Sequence, residues 1–247
     1  MQEKSKPVDN LRADAEKIIM RAIAAVLPDA TVERALKGKT FLGRVCLVAA
    51  GKAAWQMAHA ARACLQDNFC GGVVVTKYGH VKGEIANVAC FEGGHPVPDE
   101  NSLRGTDAAL ALTEDLTESG TVVFLLSGGG SALFEKPLLP LAELQDVTNQ
   151  LLAAGADIVE INTIRKRLSA VKGGRFARHC APAQVFAVVL SDILGDPLDM
   201  IASGPAYPDS SSCAQALDIA KRYGLRLSER AWALLAQETP KTLTNVE

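Results

Sequence analysis

The sequence predicts an α/β fold: a mostly parallel sheet covered by helices on both faces, built as a single large domain. Two observations carry this. Short apolar runs, the pattern of strands buried on both faces, alternate along the chain with longer helix-forming segments. Four strand-like runs also empty into loops rich in Gly, Lys, His or Asp, and open parallel sheets bind ligands at those carboxyl ends. A length of 247 residues, 48% of them hydrophobic and 22% charged, is ample for one buried core.

The elements follow in order. Asp9 is placed to cap a helix running to about Leu27, because Leu11, Ile18, Ile19, Ala22, Ile23 and Val26 recur at helical spacing before Pro28 stops it. Arg44 to Ala50 is the first strand, and an Ala-rich helix runs from about Ala53 to Leu65. Gly72 to Thr76 and Ala86 to Phe91 are further strands, Asp99 to Leu116 a helix, and Thr121 to Leu126 the next strand. Leu141 to Ala154 and much of Ile158 to Ala181 read as helical, with Val185 to Leu190 a β-branched strand. Helices return at Cys213 to Tyr223 and Ser228 to Gln237, and the polar tail TPKTLTNVE, residues 239–247, reads as the start of a linker.

Composition excludes several classes of function. A formal net charge of −2 without an aromatic ladder offers nothing to nucleic acid. No apolar run approaches the roughly 20 residues that span a bilayer. The N-terminus is polar and carries several acidic residues, unlike a secretory or transit leader, so a cytoplasmic location is expected. The six cysteines form no CxxC pair and the four histidines no HxxxH, so reduced thiols and no transition-metal centre are expected.

The loaded strand ends hold the candidate chemistry. Gly51-Lys52 puts a lysine beside a tight turn and a helix start, where it can hold a phosphate as a point charge; a surface lysine opening a helix would look the same. It is no Walker A loop, since GxxxxGK[ST] needs Gly at Cys46 and Ser or Thr at Ala53. GGHPVPDENS, Gly93 to Ser102, offers His95 in a proline-stiffened turn. LLSGGGSALF contributes Ser127, Gly128, Gly129, Gly130 and Ser131, whose Cβ-free centre lets backbone N–H groups converge on an anion. Asp192, just past the Val185–Leu190 strand, is placed for Mg²⁺, with Asp196 and Asp199 as alternatives; each can equally cap a turn. Between the last two ends, EINTIRKRLSAVKGGRFA sets Asn162, Arg165, Lys166 and Ser169 at i, i+3, i+4 and i+7 of a helix, a basic face suited to a carboxylate or phosphate. GxSxG and GxGxxG are both missing, which argues against a nucleophile elbow and a dinucleotide site.

Together, VAAGKAA, GGHPVPDENS, LLSGGGSALF, EINTIRKRLSAVKGG and SDILGDPLDMIASGPAYPD resemble the type II glycerate 2-kinases, in that family's order, from about Ala13 to Ala236. The resemblance implies a Rossmann-like N-terminal domain over residues 1–238, with 239–247 leading to a second domain across a cleft. It implies phosphoryl transfer from ATP to the 2-hydroxyl of D-glycerate with Mg²⁺. Lys52 and Asp192 would be catalytic, Asp192 also a metal ligand, Ser127 to Ser131 phosphate-binding, and His95, Arg165 and Lys166 substrate-binding. ATP and glycerate are the implied small-molecule partners, with self-association into a homo-oligomer also open. The alternatives are a hydroxypyruvate reductase, which would need a nicotinamide site, and a non-catalytic nucleotide- or phosphosugar-binding module.

Overall fold

The computed structural model describes residues 8–191 and 195–247. Five strands, β1 (Val45–Ala50), β2 (Phe69–Lys77), β3 (Val88–Gly93), β4 (Thr121–Leu126) and β5 (Gln184–Val189), form one sheet in the order β3-β2-β1-β4-β5. Every neighbouring pair is parallel. The winding reverses between β1 and β4, so the carboxyl ends of these two central strands flank the crevice where such sheets bind ligands.

Alternation along the strands sorts the core into two layers. Cys46, Val48 and Ala50 face one side with Phe124, Phe134 and Phe176, while Leu47 and Ala49 face the other with Met57 and Ala58. The first side is covered by α4 (Glu100–Thr113), α5 (Gly130–Leu133) and α8 (Arg175–Cys180), the second by α2 (Pro28–Leu36) and α3 (Ala54–Cys64). The three phenylalanines interlock, with ring centroids 4.7 to 5.5 Å apart. A separate helical core of Leu144, Leu151, Ile164, Leu168, Ala216 and Leu235 joins α6 (Leu141–Ala153), α7 (Ile158–Arg167), α9 (Cys213–Arg222) and α10 (Glu229–Leu235).

The structure adds detail to three of these readings. Pro28 ends the first helix, α1 (Val8–Val26), but it also opens α2 as its first residue, where a missing N–H costs nothing. The Ile158–Ala181 stretch breaks between α7 and α8, because Gly173 and Gly174 take φ of 58° and 79° and give their N–H groups to the carbonyls of Ser203 and Gly204. Residues 239–247 do not lie free. Val246 pairs in parallel with Val185, and buried Asn245 donates through Nδ2 to the carbonyls of Ala177 at 2.9 Å and Ala183 at 2.8 Å. Among the described residues no helix is long and apolar enough to cross a membrane.

Candidate active site

The loops after β1 and β4 are sewn together. Lys52 donates its backbone N–H to the Gly128 carbonyl at 2.9 Å, and Ala53 donates its own to Ser127 Oγ at 3.0 Å. Thr76, buried at the end of β2, donates its hydroxyl to the Gly51 carbonyl at 2.9 Å. Only glycine fits at 51: its φ is 122°, and a Cβ there would lie 2.2 Å from Ser127 Oγ and 2.5 Å from the Ser127 carbonyl oxygen. Ser127 is thus a buried stitch between loops. The N–H groups of half-buried Gly128 and Gly129 give no hydrogen bond to any described backbone carbonyl.

His95 and Lys52 close on this turn from above. A Cβ at Gly129, whose φ is 90°, would stand 2.9 Å from His95 Cδ2, 3.0 Å from its Nε2 and 3.2 Å from Lys52 Cγ. Burial holds the His95 pKa below its usual 6.5, reinforced by the positive fields of Lys52, Lys77 and His80. Two of these groups, His95 and Lys52, stand directly over the glycine turn, while Lys77 and His80 act on His95. His80 Nδ1 lies 2.8 Å from the Lys52 carbonyl; since a carbonyl only accepts, the proton sits on Nδ1. Lys52 itself is exposed and opens a cleft of about 380 Å³ lined also by Trp55, Gln56, His80 and Lys82.

The far side of the turn is braced by the loop after β5. Ser203 donates to Asn162 Oδ1 at 2.8 Å and lies 3.2 Å from Ser131 Oγ, so the serine–serine contact runs from the Ser131 hydroxyl to Ser203. Ala202 and Ser203 take φ of 51° and 61°, a left-handed backbone that non-glycine residues hold only when their surroundings enforce it. The enforcing group is Lys172, fully buried, which donates to the carbonyls of Phe134 at 2.9 Å and Ala202 at 3.3 Å, with Glu135 Oε2 3.8 Å away. Burial depresses the Lys172 pKa to about 8 despite the attraction of Glu135. Sequence reasoning put Lys172 in a basic cluster without assigning it this brace, because nothing in KGG reports burial.

The predicted residues divide accordingly. Lys52, His95 and Ser127 to Ser131 come together, and Asn162 joins them through Ser203. Arg165 lies under the neighbouring turn, half-buried beside Pro96, Val97 and Pro98 in a cavity of about 280 Å³, its Nε without a hydrogen-bond partner. Burial lowers its pKa, partly offset by Glu135. Lys166 is corrected. Its fully buried ammonium pairs with Asp209 Oδ1 at 2.9 Å and Asp199 Oδ2 at 3.4 Å, inside a network that includes Arg167, so it is spent on structure. Ser169 falls beyond the end of α7, which breaks the expected four-residue face. Asp192 lies outside the described residues. Among those that are described, no three His, Cys, Asp or Glu side chains cluster as metal ligands.

Known proteins share this architecture. The family described as "Domain of unknown function (DUF4147)" matches residues 14–236. A D-glycerate 2-kinase from Thermotoga maritima is 54% identical over 241 residues, covering 97% of this chain and 58% of that protein. A protein named "Putative hydroxypyruvate reductase" from Agrobacterium vitis is 41% identical over 229 residues, covering 91% and 52%. The crystal structure of a Thermotoga maritima glycerate kinase superposes with a TM-score of 0.90 at 52% identity, covering 97% of this chain and 58% of that one. The chain thus spans a little over half the length of these relatives. With its glycine turn, its lysine at the first strand end and a sheet matching that structure, the chain belongs to the DUF4147 family, in the company of the glycerate kinases.

Proposed function

We propose that this chain supplies the N-terminal side of an active-site cleft that phosphorylates D-glycerate with ATP, giving 2-phosphoglycerate and ADP. The observation that carries the reading is the convergence of Lys52, His95 and two glycine N–H groups at the β1/β4 switch point. Phosphoryl transfer asks chiefly for positioning and charge stabilisation. Lys52 meets transferring phosphate oxygens as a point charge, the Gly128 and Gly129 N–H groups hold an oxygen between them, and His95, neutral at pH 7, hydrogen-bonds without adding charge. Arg165 is the candidate for the glycerate carboxylate. The donors around the turn are basic or N–H-bearing, which suits phosphate better than a bare cation. Mg²⁺ would therefore arrive on the nucleotide, with Asp192 as the carboxylate offered to it. Residues 1–238 are the domain of this reading and 239–247 the lead into the remaining length seen in relatives. A cytoplasmic setting accords with ATP as co-substrate.

The test is an assay of the full-length gene product with D-glycerate, ATP and Mg²⁺, coupled to ADP formation, beside one with hydroxypyruvate and NADH. ADP production dependent on glycerate is expected; NADH oxidation without ADP production would overturn the kinase. The reductase reading is kept because of the Agrobacterium vitis relative's name, and the missing GxGxxG weighs against it. On the present chain, Lys52→Met should weaken ATP binding in calorimetry by about 10- to 100-fold, the worth of one hydrogen bond to a charged group.

A further inference from the structure

Far from the glycine turn, at the opposite ends of β1 and β2, two thiols face each other. Cys46 Sγ and Cys70 Sγ are 2.7 Å apart, about 0.7 Å longer than the roughly 2.05 Å of a disulfide bond. The backbone produces the meeting. The parallel register slips between Val45↔Phe69 and Cys46↔Gly71, so Cys70 is an extra residue that swings toward the Cys46 side. Gly71, at φ 150°, permits the bulge. Neighbouring strands lie about 4.8 Å apart, inside the roughly 4.4–6.8 Å between Cα atoms that a disulfide tolerates. The two thiols differ in access: Cys46 is fully buried and Cys70 exposed.

We infer that Cys46 and Cys70 form an oxidisable pair that closes into a cross-strand disulfide when the protein meets a peroxide. Exposed Cys70 takes the oxidant first: its thiolate attacks hydrogen peroxide, the O–O bond breaks, and Cys70 becomes a sulfenic acid with release of hydroxide. The buried Cys46 sulfur then attacks the Cys70 sulfur, its proton leaving with the sulfenic oxygen as water. One peroxide is reduced and two thiols are oxidised. Burial and the neighbouring Cys70 push the Cys46 thiol up to about 12, so the inner partner waits as a thiol and does not react alone. The bond would clamp β1 to β2 at the end away from Lys52, so it acts on stability and leaves the ligand end unchanged.

The experiment uses the Cys64→Ser variant of the whole chain, because Cys64 shares a tryptic peptide with Cys70. The reduced protein is treated with stoichiometric hydrogen peroxide, unfolded, titrated for free thiols and mapped by mass spectrometry without reduction. The five remaining thiols should fall to three, with the Cys46 and Cys70 peptides joined, and reductant should restore all five. In a Cys64→Ser, Cys70→Ser double variant, Cys46 should stay reduced under the same treatment. Three results would overturn the inference: no peptide linkage, Cys70 over-oxidised while Cys46 remains a thiol, or Cys46 joined instead to buried Cys180.

Discussion

Substituting alanine at three glycines, Gly155, Gly129 and Gly51, should grade the site from open surface to closed seam. Gly155 follows α6 at φ 77° with nothing within 4 Å of a built Cβ, so Gly155→Ala carries only left-handed strain, about 1–2 kcal/mol, partly offset by a stiffer unfolded chain. Gly129→Ala carries the same strain at φ 90° and also drives a methyl to 2.9 Å from the His95 ring. Overpacking of that kind costs about 1–3 kcal/mol, bringing the sum to roughly 2–5 kcal/mol. For a chain of this size that is a fall in Tm of about 4–20 °C. Gly51→Ala meets backbone, the Ser127 carbonyl at 2.5 Å, and can be accommodated only by parting the loops and losing the Lys52–Gly128 and Ala53–Ser127 bonds. It should cost more than about 4 kcal/mol. Thermal unfolding followed by circular dichroism measures all three. Equal Tm values for Gly129→Ala and Gly155→Ala would refute the packing of His95 and Lys52 on the glycine turn.

Other outcomes follow from the buried charges. Asp209 is held below its usual pKa: burial would raise it, but hydrogen bonds from Thr239, the Ser211 N–H and Lys166 outweigh that. Its stabilisation is therefore present above the ordinary carboxylate range and lost on acidification, and Asp209→Asn should cost about 3–5 kcal/mol near neutrality in urea unfolding while flattening the acid limb. Burial holds the Lys172 pKa down to about 8, against an ordinary 10.5, so between these the unfolded chain binds more protons and stability should climb with pH by about 3 kcal/mol. Lys172→Met should lack that climb. His95, with its pKa lowered by burial first and then by Lys52, loses stability as pH falls through 6.5; its proton NMR titration should move up in Lys52→Met and on adding ADP.

Much of the fold could be read from the chain because central parallel strands are apolar on both faces and need no alternation to be recognised. Thr121 to Leu126 matches β4 residue for residue. Asp99 reads as a cap and is one, its carboxylate accepting the Ser102 N–H at 2.9 Å. What was hidden depends on long-range partners. Lys166 and Arg165 are adjacent in sequence and both basic, yet one meets Asp209 across 43 residues and the other a cavity wall. Spacing on a helix gives direction but not what waits there. The seating of Val246 on β5 was invisible for the same reason: a polar tail reads as linker until the carbonyls it satisfies are known.

That seating also bears on how the sheet meets other molecules. An unpaired edge strand is a template on which a second chain can add. Val185 and Ala187 instead give their N–H groups to the carbonyls of Asn245 at 2.7 Å and Glu247 at 2.8 Å, and Glu247 returns its N–H to Val185 at 2.9 Å. A chain trimmed at Glu238 would bare these groups beside the apolar walls of Leu126, Ala187 and Val189, a sticky margin open to cross-β pairing. The nine residues after Glu238 thus work as a selvedge, the woven border that keeps the sheet from fraying into its neighbours.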